Sequence, residues 1–136
     1  MANRTFYPAF SYGFGRVYVE AFFQCNGASN PLSTTFDGAD IISTVTHTGA
    51  ANNYVITCKD AFNKVIYGSA DLKISAVAGQ WLTCSTFTHE GTSTPLVFTI
   101  LAFVAAGAAA NDLASTNTIG FSLALRNSAA SGAYVK

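Results

Sequence analysis

Charged side chains are scarce in this sequence. Asp, Glu, Lys and Arg make up 10% of the 136 residues, whereas an ordinary soluble domain carries charge at about a quarter of its positions. Half of the chain is hydrophobic and the net charge is zero at pH 7. Because electrostatic repulsion then does little to keep copies apart, we expect the surface to be covered in an assembly.

Clustered basic residues are also missing. The seven Lys and Arg residues are scattered from Arg4 to Lys136 with no adjacent pair. A nucleic-acid-binding protein needs a basic patch that neutralises a run of phosphates. We therefore expect no nucleic-acid partner.

The three cysteines, Cys25, Cys58 and Cys84, form no CxxC pair. This spacing predicts neither a zinc site nor a redox pair, so we interpret them as small apolar core residues. An odd number leaves at least one thiol free, which favours a reducing compartment. Residues Met1–Phe10 lack the basic stretch and apolar run of a signal peptide, and we expect synthesis in a cytoplasm.

One segment, Gly91–Asn111, contains no charged residue. Its apolar part is too short to cross a bilayer, because Thr, Ser and Pro open the segment and weakly hydrophobic Ala and Gly close it. We therefore expect a strand buried on both faces and no membrane partner.

Hydrophobic residues alternate with polar ones along most of the chain, and a period of two is typical of half-buried strands. The predicted strands are Arg16–Gln24, Ile41–Thr48, Asn53–Lys59, Asp71–Val77, Gln80–Thr88, Pro95–Val104 and Thr118–Arg126. Short strands separated by Gly, Asn and Ser clusters predict an all-β fold, an antiparallel, jelly-roll-like β-sandwich of about seven or eight strands.

One short helix is predicted at Asp60–Ile66, where Asp60 can cap the first turn and three apolar residues follow at helical spacing. Glycine and asparagine predict turns at His47–Asn53 and at Ala78–Gly79. Residues Asn26–Asp40 have little periodicity and are interpreted as a long loop.

An aromatic-rich arm precedes the first strand. Its five aromatic residues are Phe6, Tyr7, Phe10, Tyr12 and Phe14. A terminus is normally polar and frayed, so these rings must be buried, either against the chain's own sandwich or across a neighbouring subunit. The sequence thus divides into an arm at 1–15 and one sandwich domain at 16–136.

Tyr18 and Phe22 are a second aromatic feature, since they fall on the otherwise polar face of the first predicted strand. They would lie either under the chain's own loops or in an interface with another subunit.

The sequence contains little evidence of a catalytic or metal site. A nucleophilic site would need His47 or His89 beside Cys84, Ser85 or an aspartate, and no GxSxG motif is present. Residues Asp37–Asp40 lack the dense oxygen spacing of a calcium loop, and His89–Glu90 is explained equally well by a hairpin tip. We therefore predict no catalytic residue, no metal and no cofactor.

The order of these pieces carries a resemblance. A Thr/Gly hairpin with Tyr54–Thr57 leads into Asp60–Val65, and Leu96–Leu101, Ala105–Asp112 and Gly120–Ser128 follow. In this order, residues 41–128 resemble small structural proteins of tailed bacteriophages, namely capsid cement or decoration subunits. Residues 1–40 match no part of that pattern.

The resemblance implies a non-enzymatic protein of the virion, present in many copies on the capsid surface. It would be a homotrimer that binds the major capsid protein and stabilises the shell by bridging capsomers. We expect the trimer contact at Tyr18, Phe22 and the residues around Trp81, and the shell contact along Phe6–Phe14.

Two other classes remain open. In a carbohydrate- or receptor-binding module of a phage fibre or spike, Trp81 and exposed tyrosines would stack on sugar rings. A small β-fold enzyme would instead need a cleft that holds His47 or His89 beside an acid.

Overall fold

Seven strands in two antiparallel sheets build the part of the chain that the structure describes. The structure is a computed structural model, and it describes residues 16–37, 41–48, 53–62, 64–74, 80–104, 113, 115 and 117–126. The strands are β1 Arg16–Gln24, β2 Ile42–Thr48, β3 Asn53–Cys58, β4 Lys64–Ile74, β5 Gln80–Thr88, β6 Val97–Val104 and β7 Thr118–Arg126. One sheet has the order β1-β7-β4 and the other β2-β3-β6-β5. The predicted all-β, antiparallel sandwich-like fold is confirmed.

The hydrophobic core lies between the two sheets. Phe98 of β6 meets Phe121 of β7 edge to face, with ring centroids 5.2 Å apart. Phe23 of β1 lies 5.5 Å from the ring of Tyr54 on β3. Both contacts join one sheet to the other, and all four rings are buried. Inward residues alternate with outward ones along β3, as the period of two predicts, whereas register shifts interrupt the alternation in β2, β4 and β5.

The predicted helix at Asp60–Ile66 is wrong. Strand β4 begins at Lys64 and runs to Ile74, so it also starts well before the predicted strand at Asp71. Its pairing with β7 shifts register between Val65 and Tyr67. A bulge of this kind inserts one extra residue and interrupts the alternation, which is why the apolar residues fell at helical spacing. Their β-branched and aromatic types favour a strand.

The predicted loop at Asn26–Asp40 contains two ordered features. Residues Ser33–Thr35 form a single 3-10 turn. Asp37 then forms a bridge with Phe22, in which each backbone N–H donates to the other residue's carbonyl, at 3.0 and 2.9 Å. The loop therefore returns to the free edge of β1.

Several predicted features lie outside the described residues. These are the arm at 1–15 with its five aromatics, and residues 49–52 and 78–79, on which the predicted turns depend. Within the described residues, no helix is long and apolar enough to cross a membrane. The described part of Gly91–Asn111 contains a turn followed by β6.

Gly68 provides a test of the packing between β4 and β5. A Cβ added there would lie 2.8 Å from Leu123 Cδ2 and 3.0 Å from Phe87 Cζ. We predict that Gly68→Ala lowers the free energy of unfolding by about 1–3 kcal/mol, because an overfilled core forces side chains to move. Chemical denaturation measures the change.

Gly120→Ala is the matched control, because a Cβ at that position meets only the Asp71 carbonyl oxygen at 4.0 Å. We expect a change within about 0.5 kcal/mol. Equal destabilisation by the two alanines would contradict the tight packing around Gly68.

Candidate functional site

The two histidines serve different local structures. His47 is buried in β2, its ring centroid 5.0 Å from that of Tyr54 and its Nδ1 3.2 Å from the Ala28 carbonyl oxygen. Its backbone N–H donates to Asn30 Oδ1 at 2.8 Å. These contacts fasten the loop after β1 to β2. His89 lies in the exposed turn after β5 with a φ of 69°, and its carbonyl accepts a hydrogen bond from Thr92 Oγ1.

Cys84 and Ser85, the candidate nucleophiles, occupy successive positions of β5. Cys84 is half-buried and packs against the core. Ser85 pairs with Thr99 on the outward side, and its hydroxyl lies 3.4 Å from Thr86 Oγ1. Successive strand residues point to opposite faces, so the thiol and the hydroxyl cannot serve one site.

All three cysteines were predicted to be core residues. Cys25 and Cys58 are buried in the core, and Cys84 is half-buried and packs against it. Burial, together with the nearby charge of Asp60, raises the pKa of Cys58 to about 12. Burial raises the pKa of Cys84 to about 11 and also raises the pKa of Cys25. All three thiols are free of disulfides and protonated near neutral pH.

Metal ligands are not grouped in the described part of the chain. No cluster of three or more His, Cys, Asp or Glu residues there could hold an ion. Asp37 is exposed and Asp40 lies outside the described residues.

The outward side of the sheet β1-β7-β4 carries charged residues, and we name it the charged face. Register places one residue of each strand in a row across it. Its rows are Arg16, Arg126 and Lys64; Tyr18, Ala124 and Tyr67; Glu20, Ser122 and Ser69; Phe22, Gly120 and Asp71. The hydroxyls of Ser69 and Ser122 lie 2.9 Å apart, which confirms that these two residues share this side.

The first of these rows consists entirely of cations, and we name it the basic row. Arg16 and Lys64 are both paired with Arg126, from opposite sides of β7. Like charges directly opposite each other in a sheet are destabilising. Lys64 and Arg126 are exposed and lack an ion pair among the described residues, while the Glu90 carboxylate lies close by and accepts a hydrogen bond from the Val65 N–H.

A groove occupies the other end of the charged face. Its volume is about 470 Å³, and its charged or aromatic lining residues are Glu20, Phe22, Asp37, Asp71 and Lys73. The Lys73 ammonium lies 4.9 Å from the centre of the Phe22 ring, a cation–π contact. Even without Asp37, Glu20 and Asp71 outnumber the single Lys73 ammonium, so the described lining of the groove is acidic.

The outward side of the sheet β2-β3-β6-β5 has the opposite character, and we name it the neutral face. None of these four strands contains Asp, Glu, Lys or Arg, whereas the strands of the other sheet contain six such residues. Its rows are Thr44, Thr57, Val97 and Thr88; Thr46, Val55, Thr99 and Ser85; Thr48, Asn53, Leu101 and Thr83; Phe103 and Trp81.

One aromatic pair stands at an end of the neutral face. Trp81 is 43% exposed, and its ring stacks on Phe103 with centroids 5.9 Å apart and planes inclined by 22°. A large exposed indole in a charge-free surface is a typical contact residue.

The predicted interface residues divide between the two faces. Tyr18 and Phe22 lie on the charged face, and Phe22 lines its groove. Trp81 lies on the neutral face. A contact that used all three would therefore engage both sides of the sandwich, and the arm aromatics Phe6–Phe14 lie outside the described residues.

Two features of these surfaces were missed in the sequence. The neutral face could have been predicted, because some of the predicted strands contain charged residues and others contain none. The basic row had none, since Arg16, Lys64 and Arg126 are far apart in the chain and only the strand register brings them together.

Comparisons with protein-family models, with curated proteins and with solved structures found no match to this chain. Its function is therefore argued from its own residues.

Thiol labelling tests the protonated state of the cysteines. A pKa raised to about 11 for Cys84 leaves roughly a hundredth of the thiolate at pH 8 that an unperturbed cysteine would have. We predict that the native protein reacts with a thiol reagent at pH 8 at least about tenfold more slowly than the unfolded chain.

The raised thiol pKa values also make the stability of the folded state depend on pH. A raised thiol pKa favours the folded state below the unfolded pKa, and this stability is lost as the pH rises towards the folded value.

Rapid labelling of even one cysteine in the native protein at pH 8 would contradict the buried positions of the three thiols.

Proposed function

We propose that the protein is a non-enzymatic virion structural protein of a tailed bacteriophage, one that decorates the capsid. In this role it forms a homotrimer on the capsid surface, binds the major capsid protein and bridges capsomers. It is made in the host cytoplasm before it joins the virion. The observation that carries the proposal is the neutral face.

A charge-free surface suits burial against another protein. Removing a charged side chain from water is costly unless it gains a partner, and the neutral face has no charge to desolvate. The centres of interfaces are likewise depleted of charged residues. Docking of this face would thus avoid the cost of desolvating charges, and its Thr, Ser and Asn side chains would need hydrogen-bond partners across the contact.

The same face is a liability while it stays uncovered. Natural sheets protect exposed surfaces and edges with charges, especially lysine, and strands β2 and β5 at the edges of this sheet have none. Exposed apolar side chains such as Trp81 also mark interaction sites when they lie together. A subunit with such a face benefits from permanent assembly.

Repetition strengthens weak contacts in a shell. Once one contact forms, further contacts of the same oligomer form at high effective concentration. Many modest, uncharged interfaces can therefore hold a decoration subunit without a catalytic or metal site. The phage context itself is supported by the resemblance of residues 41–128.

Charge insertion tests the proposed role of the neutral face. Thr46 and Thr83 are exposed positions on its two edge strands. We predict that Thr46→Glu and Thr83→Glu each weaken the trimer and shell binding at least about tenfold, because a buried carboxylate would lack a partner. Light scattering after size exclusion and co-sedimentation with undecorated shells measure the two effects.

The matched control is Thr34→Glu, an exposed threonine in the 3-10 turn, outside the strands of both sheets. The wild type and this control should have three times the chain mass of 14.2 kDa and should resist dilution. A wild-type protein that is monomeric and does not bind shells would contradict the proposal.

A carbohydrate- or receptor-binding module is the second candidate function. The exposed Trp81 ring, held in place by its stack on Phe103, favours this role because aromatic faces pack against the apolar faces of sugars. If the protein has this function, we predict that it binds sugars on a glycan array and that the bound sugar raises its melting temperature. Trp81→Ala should abolish both effects. Tyr67→Ala is the matched control, because it removes an exposed aromatic ring from the other sheet, and an array without any positive glycan would contradict this candidate function.

A further inference from the structure

We propose that the charged face is a second contact surface whose partner is the charged face of another copy of this chain. The two copies are related by a two-fold axis that lies across the strands. This contact is separate from the neutral face, so both surfaces can be engaged at once.

The charged face is electrically polar along its strands. The basic row occupies one end, at the register level of Arg126, and three carboxylates lie towards the other end. Asp71 stands at the level of Gly120, Glu20 at the level of Ser122, and Asp37 is bridged to the neighbouring Phe22. A surface with one positive and one negative end is complementary to its own reversed copy.

The register also fits a two-fold arrangement. Arg126 and Gly120 are equally far from Leu123 along β7, and their partners on β4 are Lys64 and Asp71. A two-fold axis at the level of Leu123 therefore lays Lys64 of one copy over Asp71 of the other. The same operation repeats the contact with the roles exchanged, so each pairing brings two such attractions.

The groove supplies room for the cations. Its volume of about 470 Å³ would receive the long side chains of Lys64 and Arg126 from the second copy. Its Glu20 and Asp71 carboxylates would attract Lys64 and Arg126, for which the described residues of the same chain provide no ion pair. The arrangement converts a repulsive row within one copy into an attractive contact between two.

Apolar side chains stand beside the basic row. The bulge in β4 leaves Ile66 and Tyr67 43% and 54% exposed. Apolar and aromatic surface next to complementary charge is the usual composition of a protein interface.

The size of the face sets the strength of the contact. Three strands at a spacing of about 4.8 Å and nine residues at about 3.3 Å each give a projected area of roughly 400 Å². A stable interface buries about 800 Å² on each partner. The pairing is therefore reversible and depends on salt, since exposed charges are screened strongly above physiological ionic strength.

Charge reversal with rescue tests the pairing. Sedimentation equilibrium at about 0.05 M and 0.5 M salt spans the range over which screening of exposed charges becomes strong. The wild-type species should double in mass at low salt. We expect Lys64→Glu to weaken this doubling at least about tenfold, because each pairing then contains two repulsive contacts.

The exchanged variant Lys64→Asp with Asp71→Lys should restore the doubling to within about threefold of wild type, since the polarity is merely reversed at this pair. Lys59→Glu is the matched control, an exposed cation beyond the end of β3, and should pair like the wild type. Thr46→Glu, which lowers the starting mass by disrupting the neutral face, should leave the low-salt doubling intact. This separates the two surfaces.

Two results would overturn the inference. One is a wild-type mass that is the same at both salt concentrations. The other is an exchanged variant that stays as defective as Lys64→Glu. If Lys64→Glu also lost binding to shells in that case, the basic row would be assigned to an acidic partner other than this chain.

Discussion

Side-chain packing around Phe98 is the interaction on which the rest of the structure depends. The two sheets share no strand pairing among the described strands, so backbone hydrogen bonds cannot align them. Phe98 is fully buried and lies between Phe87, at 5.6 Å, and Phe121, at 5.2 Å. These contacts hold the inner faces together, and the alternation along each strand then determines which residues face outward.

Because of that alignment, the two outward faces differ strongly in their content of charged residues. All of the strand charges fall in the sheet β1-β7-β4, and the other sheet has none. A low overall charge is thus not spread evenly over the molecule. One side suits permanent burial, whereas the other suits a reversible contact that responds to ionic strength.

The strands with regular alternation were predictable from sequence. Strands β1, β5 and β7 have the predicted bounds. Strands β1 and β7 each bury one face, and their mutual pairing has no bulge. Strand β4 was not predictable in the same way, since its bulge after Val65 displaces the apolar residues from a period of two. Local patterns report which residues are apolar, but they do not report where a neighbouring strand skips a residue.

The surfaces needed more than local patterns. Exposed Tyr18, Phe22 and Trp81 were recognised as unusual residues, yet their separation onto two faces follows from sheet order. The basic row likewise depends on pairings between residues far apart in the chain. Non-local register of this kind is set by the whole fold and is not encoded in any short segment.

The central position of β7 constrains the order in which the protein can be built. Strands β1 and β4 each pair with β7 and not with each other, so both must wait until residues 118–126 have been synthesised. The hairpins β2-β3 and β5-β6 join neighbours in sequence and close only short loops, which form quickly. During translation the uncharged sheet can therefore begin to assemble while the charge-bearing sheet is still incomplete. The sheet β1-β7-β4 can therefore be completed only after β7 has emerged.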